Sequence, residues 1–386
     1  MSIYDRFGVP TVINACGTVT RLSGGRMHPD VVAAMQAAST ECVDMLALQA
    51  GASRVIARVT GAEAGIVTVG ASAALLLGAA ACIAGLDLAR MNRLPDAGPR
   101  RDVLVVRSQR NMYDRAVTVA GGRLVEVGIP DRYSGPGVRD AAPWELEAAI
   151  TPDTAGILWL AQPQSLPTLP EVSAIARAHH LPLLVDAAAQ LPPTGNLRRF
   201  LAEGADLVAF SGGKAIGGPQ ASGILAGRRD LVSSALLQML DLDLFPAQFR
   251  PPPEFAPLAQ MPGLPLHGIG RSCKAGKEEI VGLLVALERF AGTDERARHA
   301  GWLAMLETIR DEAGNPPDLR ILERPVPLLA LTTPDPDGLA ARLAAGDPPI
   351  HCSLARRSEG VLLFNPIALA PEHAAVIGKR LLTLLA

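Results

Sequence analysis

Leu181-Pro182-Leu183-Leu184-Val185-Asp186, followed by Asp206-Leu207-Val208-Ala209-Phe210-Ser211-Gly212-Gly213-Lys214, decides how this chain of 386 residues folds. The first stretch is a short apolar run whose only charge stands at its carboxyl end. That is the pattern of a strand buried on both faces of a parallel sheet, and ligands collect outside the carboxyl ends of such strands. The second is another apolar strand running straight into a serine, two glycines and a lysine. Gly217-Gly218-Pro219 then forces a turn before Ala221-Ser-Gly-Ile-Leu-Ala226. Glycines on both sides of the lysine allow unusual backbone angles and close approach of a flat ligand. Taken singly, Asp186 reads as a strand-end cap and Lys214 as a loop lysine. Taken together they suit an enzyme that holds pyridoxal 5'-phosphate, with Lys214 forming the Schiff base and Asp186 protonating the pyridine nitrogen.

Such a cofactor needs a phosphate anchor that fixes its ring while bonds at the substrate carbon change. Thr68-Val69-Gly70-Ala71-Ser72-Ala73 leads from a strand directly into a helix. Backbone N–H groups of Gly70, Ala71 and Ser72 and the positive helix end would face a phosphate there, with the Ser72 hydroxyl as a further donor. A plain helix cap at Ser72 is the competing reading of that motif taken alone.

Outward from these motifs the chain alternates strand and helix patterns without repeats, which argues for a mostly parallel sheet covered by helices. Strands are expected over 64–69, 103–106, 123–127 and 156–161, and helices from Pro29, over 53–60, 72–85 and 169–179. Residues 245–266 are dense in proline and should be irregular, a lid or a dimer contact. A long helix follows over 277–290, then a small α/β domain with strands near 326–332 and 360–364. This divides the chain into an arm (1–50), a large cofactor-binding domain (51–270) and a linking helix with a small C-terminal domain (271–386).

With 36 basic and 38 acidic side chains the chain lacks the bias of a nucleic-acid binder. No run of about 18 apolar residues appears, and Met1-Ser-Ile-Tyr-Asp-Arg has no signal-peptide core. The expectation is a cytoplasmic protein with no membrane partner. Cys16, Cys42, Cys82, Cys273 and Cys352 form no C-x-x-C pair, so neither a disulfide framework nor a metal site is expected. Cys273 lies among Arg271, Lys274 and Lys277, where positive charge would favour its thiolate.

Ile13-Asn-Ala-Cys-Gly-Thr-Val-Thr20, Gly61-Ala-Glu-Ala64 with Gly70-Ala-Ser-Ala-Ala74, Val185-Asp-Ala-Ala-Ala-Gln-Leu-Pro-Pro193, Ser211-Gly-Gly-Lys-Ala-Ile-Gly-Gly-Pro-Gln220 and Gly270-Arg-Ser-Cys-Lys-Ala-Gly-Lys-Glu-Glu-Ile280 resemble the bacterial selenocysteine synthase-like (SelA-like) enzymes. Within that group they look most like the D-glucosaminate-6-phosphate ammonia-lyase branch. The resemblance spans nearly the whole chain. It implies an α/β fold of pyridoxal-phosphate fold type I, aspartate aminotransferase-like, with a mostly parallel central sheet, helices on both faces and a small C-terminal α/β domain. It also implies active sites shared across a homodimer, with higher homo-oligomers common.

Carried over residue by residue, Lys214 is the Schiff-base lysine and proton carrier, and Asp186 keeps the pyridinium charged. Ala188 packs flat on one ring face, while Ser211 and Ser72 help hold the phosphate. Where relatives tend to carry a ring-stacking histidine, this chain has Gln109 or Arg110, and Tyr113 is the alternative stacker. Arg271 and Lys274 are placed to meet the cofactor phosphate or an anionic substrate. Arg356 is favoured for the substrate carboxylate, with Arg357 undecided beside it and Arg21 and Arg26 in the arm as weaker candidates. Arg26 stands where relatives often have a small hydroxyl residue.

The chemistry that follows is removal of the α-proton by Lys214 to give a carbanion delocalised into the pyridinium. The first expectation is a lyase that carries out α,β-elimination, releasing ammonia from a small β-hydroxylated or otherwise β-substituted amino acid, with the D configuration among the candidates. The same carbanion serves a racemase, an aldolase or a selenium or sulfur transferase, and fold analogy does not choose among them. A sensor that keeps the pocket without turnover is the non-enzyme alternative.

Overall fold

The computed structural model describes residues 2–129 and 140–385. Its strands are β1 (Ile13–Ala15), β2 (Ala64–Thr68), β3 (Asp102–Val106), β4 (Arg123–Val127), β5 (Thr154–Leu160), β6 (Leu183–Asp186), β7 (Leu207–Ser211), β8 (Gly223–Gly227), β9 (Leu319–Leu322), β10 (Leu328–Thr332), β11 (Ile350–Arg356) and β12 (Val361–Phe364). They fall into two compact units. The larger comprises His28–Gly212 and Ala221–Ala291, the smaller Met1–Met27, Gly213–Gln220 and Gly292–Ala386.

The large unit is built on a seven-stranded sheet in the order β2-β8-β7-β6-β5-β3-β4. Only β8 runs against its neighbours, so the carboxyl ends of β2, β7, β6, β5 and β3 share one edge. The apolar runs read from sequence are these strands, and β2, β3, β6 and β8 are buried along their whole length. Burial on both faces is why they are continuous rather than alternating.

Four α-helices precede β3. α1 (Pro29–Ser39) starts on its proline, α2 (Met45–Thr60) follows, α3 (Ala71–Ala84) leaves the end of β2, and the short α4 (Leu88–Arg93) comes after it. α2 begins eight residues before the expected 53, because Asp44 caps it by accepting a hydrogen bond from the Ala47 N–H at 2.8 Å. It ends where expected, at Gly61 with φ +77°, a left-handed cap that glycine adopts without penalty.

Gln49 of α2 is buried and pairs with the outer edge of β2, donating to the Val67 carbonyl at 2.9 Å and accepting from the Val67 N–H at 3.0 Å. An otherwise open sheet edge is thereby satisfied. α3 is alanine-rich because it lies against the sheet with little space to spare: a Cβ on Gly78 would stand 2.9 Å from Leu184 Cδ1 of β6. The helix Arg229–Leu237 shares its core, and the proline-rich region carries only short 3-10 turns, Pro246–Gln248 and Pro253–Gln260. The helix Lys277–Gly292 belongs to this unit as far as Ala291.

The small unit holds a five-stranded sheet in the order β1-β11-β12-β10-β9. β10 and β12 lie at the expected positions. β9 and β11 were not legible, since Ile350-His-Cys-Ser-Leu-Ala-Arg356 has neither an apolar run nor clean alternation. β1 pairs in parallel with β11, Ala15 opposite Cys352, so the first strand of the expected arm is an edge strand of the small sheet. Helices Glu295–Glu312 and Pro371–Leu385 cover its core, in which Leu306, Ile309, Phe364, Ile377 and Leu381 are fully buried.

Candidate active site

The large unit gathers most of the predicted residues at one sheet edge, and register is what brings them there. Thr68 at the end of β2 lies opposite Gly223 of β8, and Gly223 lies opposite Ser211 at the end of β7. One strand further, Ala209 faces Asp186, and Asp186 faces Leu160. Asp186, Ser211 and the turn leading into α3 thus stand side by side although they are far apart in sequence.

That turn is an open anion cradle in its backbone. Gly70 has φ +95° and caps α3 without any side-chain hydrogen bond, so the first N–H groups of the helix have no capping acceptor. Ser72 is exposed beside them. Gly223 packs directly beneath: a Cβ there would collide with the Gly70 carbonyl carbon and stand 2.6 Å from the Ala71 nitrogen. From the other side the Cys273 carbonyl accepts the Val69 N–H at 3.1 Å, which ties the 271–277 loop to the cradle.

Asp186 is buried, and one carboxylate oxygen accepts the Ala188 N–H at 3.0 Å. The Ala188 methyl is half-buried next to it. Gly212 follows Ser211, and a Cβ on it would collide with Ser222 Oγ and stand 2.5 Å from Leu283 Cδ1. Gln109, after β3, is buried with its amide engaged: Oε1 accepts the Leu160 N–H at 3.0 Å and Nε2 donates to the Leu166 carbonyl at 3.3 Å. Arg110 is locked to Asp114 and Glu126, with Arg107 also on Glu126 at 2.8 Å. Tyr113 is exposed, at 55%.

In the 271–277 loop, Arg271 Nη2 meets Asp241 Oδ2 at 2.8 Å, while Lys274 is exposed. Both line a cavity of about 370 Å³ with Met45, Gln49 and Met239. The expected thiolate at Cys273 is overturned. The residue is buried, and burial pushes its thiol above the usual range, only partly offset by the Ser272 hydroxyl; sequence proximity to cations did not become spatial proximity to sulfur. Asp241, Asp243 and His267 stand close enough to hold a cation, but all three are exposed and already ion-paired, His267 with Asp243 at 3.1 Å and Asp241 with Arg271.

The small unit holds Lys214 within Gly213–Gln220, three residues beyond the end of β7. Gly213 has no room for a side chain, since a Cβ would lie 2.5 Å from Gln220 Cα. Arg21 of the 3-10 turn Thr20–Leu22 lies in the same unit. Arg356, at the end of β11, makes a forked pair with Glu359, Nε lying 3.0 and 3.1 Å from the two carboxylate oxygens. Arg357 approaches Asp337 at 3.6 Å, and Arg26 pairs with Glu372 at 3.2 Å.

A sheet of this order with such an edge is that of a fold-type-I pyridoxal-phosphate enzyme. Residues 117–243 match the family model of SelA, L-seryl-tRNA selenium transferase. The chain is 30% identical to the D-glucosaminate-6-phosphate ammonia lyase of Salmonella typhimurium (strain 14028s / SGSC 2262), covering 98% of this chain and 97% of the relative. It is also 30% identical to a 5'-C-glycyluridine monooxygenase-decarboxylase of a Streptomyces species, covering 99% and 92%. The solved structure of D-glucosaminate-6-phosphate ammonia-lyase superposes with a TM-score of 0.79 at 27% identity, over 100% of this chain and 98% of that one. A serine palmitoyltransferase from S. paucimobilis with a bound PLP-myriocin aldimine, at 13% identity and a TM-score of 0.54, shares the fold alone. The chain belongs to the SelA family of fold-type-I pyridoxal-phosphate enzymes. Among the described residues no helix is long and apolar enough to cross a membrane.

Proposed function

We propose that this protein binds pyridoxal 5'-phosphate and catalyses α,β-elimination from a small β-hydroxylated or β-substituted amino acid, releasing ammonia and a 2-oxo acid. The carrying observation is the single sheet edge that aligns a buried carboxylate, Asp186, with an uncapped helix start behind a positive-φ glycine, Gly70. Elimination in particular is supported by the full-length likeness to an ammonia lyase. The equal identity to a monooxygenase-decarboxylase means that the family by itself does not fix the reaction.

The residues present fit the cofactor. A dianionic phosphate suits N–H groups at the start of α3 that lack a capping side chain, with Ser72 and Ser211 as hydroxyl donors. A flat ring suits the small Ala188, and a ring nitrogen suits a buried carboxylate already oriented by its own backbone. When bound, the cofactor supplies an electron sink that acidifies the substrate's α-hydrogen. Asp186 holds the proton on the ring nitrogen. Lys214 Nζ takes the α-proton and returns a proton to the departing β-group, so a hydroxyl leaves as water. Hydrolysis then releases ammonia and the 2-oxo acid. Gln109 braces β5 against the 166 loop through its amide, and Tyr113 is the stacking candidate. Arg271 and Lys274 guard the loop beside the phosphate.

The working species is a homodimer or higher homo-oligomer acting on a small molecule without nucleic acid or membrane. Exposed Met112, Phe245 and Leu266, at 82%, 77% and 75%, suit burial against a second copy. The deciding assay incubates cofactor-loaded protein with D- and L-amino acids bearing β-leaving groups and follows 2-oxo acid and ammonia. Equal release of both supports elimination. A spectral response without either product moves the reading to racemisation, aldol cleavage or group transfer. No response to any amino acid leaves a sensor.

A further inference from the structure

The loop that carries Arg21 is braced on both sides. Asn14, buried in β1, donates Nδ2 to the Gly17 carbonyl at 2.8 Å and to the Gly24 carbonyl at 2.9 Å, while its Oδ1 accepts the Cys16 N–H at 3.0 Å. One side chain therefore ties the start of the loop to its end, across a path bent by positive φ at Gly17, Ser23 and Gly24. The loop also grips the Lys214 segment. Gln220 Nε2 donates to the Thr20 carbonyl at 3.2 Å, and a Cβ on Gly24 would touch the Gly213 carbonyl oxygen at 3.4 Å. Arg21 follows Thr20 directly, so its backbone is fixed relative to the residues flanking Lys214.

The charges of the small unit are distributed unevenly around this loop. Arg356 is taken by Glu359, Arg26 by Glu372, and Arg357 approaches Asp337. Arg21 is exposed, and its Nη2 contacts Cys16 Sγ at 3.6 Å; among the described residues no carboxylate pairs with it. Next to Asn14 across the β1–β11 ladder stands His351, half-buried. Burial and the Arg21 charge both hold its imidazole below the usual range, so the ring stays neutral near pH 7 and adds a hydrogen-bonding group. An exposed guanidinium on a braced loop, with no acid of its own among the described residues, is the partner that an incoming carboxylate requires.

We propose that Arg21, rather than Arg356, receives the α-carboxylate of the amino-acid substrate and so separates amino acids from simple amines. The inference rests on the function proposed above. An α-carboxylate is favoured over an anionic tail because it is one bond from the carbon at which Lys214 works, and the Arg21 loop is clamped to the Lys214 segment.

The test uses the full-length, cofactor-loaded protein as wild type, Arg21→Met and Arg356→Met. The probes are glycine, D-alanine and L-alanine, which carry no tail anion, and the corresponding carboxamides. Dissociation constants are read by calorimetry and by the change in visible absorbance. Wild type is expected to prefer acids to amides. Arg21→Met should weaken the acids by about 10- to 100-fold, the worth of a charge-assisted contact, with amide binding unchanged, while Arg356→Met should leave both unchanged. Loss of acid binding in Arg356→Met with Arg21→Met unaffected overturns the assignment, as does a wild type that takes up cofactor yet treats acids and amides alike or binds neither. If Arg21→Met does not fold, Arg21→Lys serves, with a smaller loss of acid binding expected and no loss overturning the idea. Failure of the wild type to take up pyridoxal phosphate at all instead sinks the function on which the inference rests.

Discussion

Gly223→Ala should cripple cofactor binding without touching any residue expected to meet the cofactor through its side chain. The new Cβ would stand 2.6 Å from the Ala71 nitrogen and 2.6 Å from the Gly70 carbonyl oxygen. Ordinary contact begins near 3.4 Å and the Gly70 carbonyl carbon lies closer still, so the turn must retreat by more than about 0.8 Å. Neither side yields easily. Gly223 is held in register by β2 and β7 together, and the atoms it meets are backbone atoms. Overpacking of this kind costs about 1–3 kcal/mol. If the strain is relieved by pushing the start of α3 out of line, the same amount is withdrawn from phosphate binding, weakening cofactor affinity about 5- to 150-fold. The assay is titration of apoprotein with pyridoxal phosphate, followed by visible absorbance, alongside thermal unfolding. Gly292→Ala is the control, since nothing lies within 4 Å of its Cβ. Wild-type affinity and unfolding temperature in Gly223→Ala would refute the claim that this strand sets the cradle.

Four further outcomes are expected. Lys214→Ala should abolish turnover while leaving the unfolding transition near that of wild type; retained turnover ends its assignment as the proton carrier. Asp186→Asn keeps shape but removes charge, so turnover should fall steeply while the fold survives, and unchanged kinetics would count against a role at the ring nitrogen. Gln49→Leu leaves the Val67 N–H and carbonyl at the edge of β2 without their side-chain partner and should destabilise by about 1–3 kcal/mol, read from denaturant midpoints, with activity per folded molecule preserved. Burial, reinforced by the Asp206 charge, pushes the Cys82 thiol up to about 12, and burial, reinforced by Cys16, does the same for Cys352. Because both folded values lie above the unfolded value near 9, the stability they contribute is complete below pH 9 and drains as pH rises toward 12. Native protein at pH 8 should accordingly modify exposed Cys42 well before Cys82 or Cys352 with a thiol reagent, and equal rates would contradict this burial.

The buried strands and the glycine-marked end of α2 were legible because each is enforced locally. A strand covered on both faces must be apolar throughout, as Leu183–Asp186 is, and a helix ending in a left-handed residue must end at a glycine such as Gly61. The small sheet was half legible. β10 and β12 show apolar runs, whereas β11 and β9 take their strand character from partners distant in sequence, and β1 is a small-unit strand only because β11 lies beside it. The cap of α2 was a local signal by contrast: Asp44 stands three residues before Ala47, and the helix could have been extended backward to it.

By itself, then, the sequence determined the fold-type-I layout, the order of the buried strands' residues and the chemical kinds placed at their ends: a lysine, an aspartate and a glycine-led helix start. Arg356 and Arg110 found acids three and four residues along the chain, Glu359 and Asp114, as local spacing permits. Tertiary structure alone paired Arg271 with Asp241 and Arg110 with Glu126, and left Arg21 without an acid among the described residues. It likewise turned Cys273 from an expected thiolate into a buried thiol. Backbone pattern is enforced by burial along a few consecutive residues, whereas a charge is defined by whatever lies within a few ångströms of it through space, and only the packed chain fixes those neighbours.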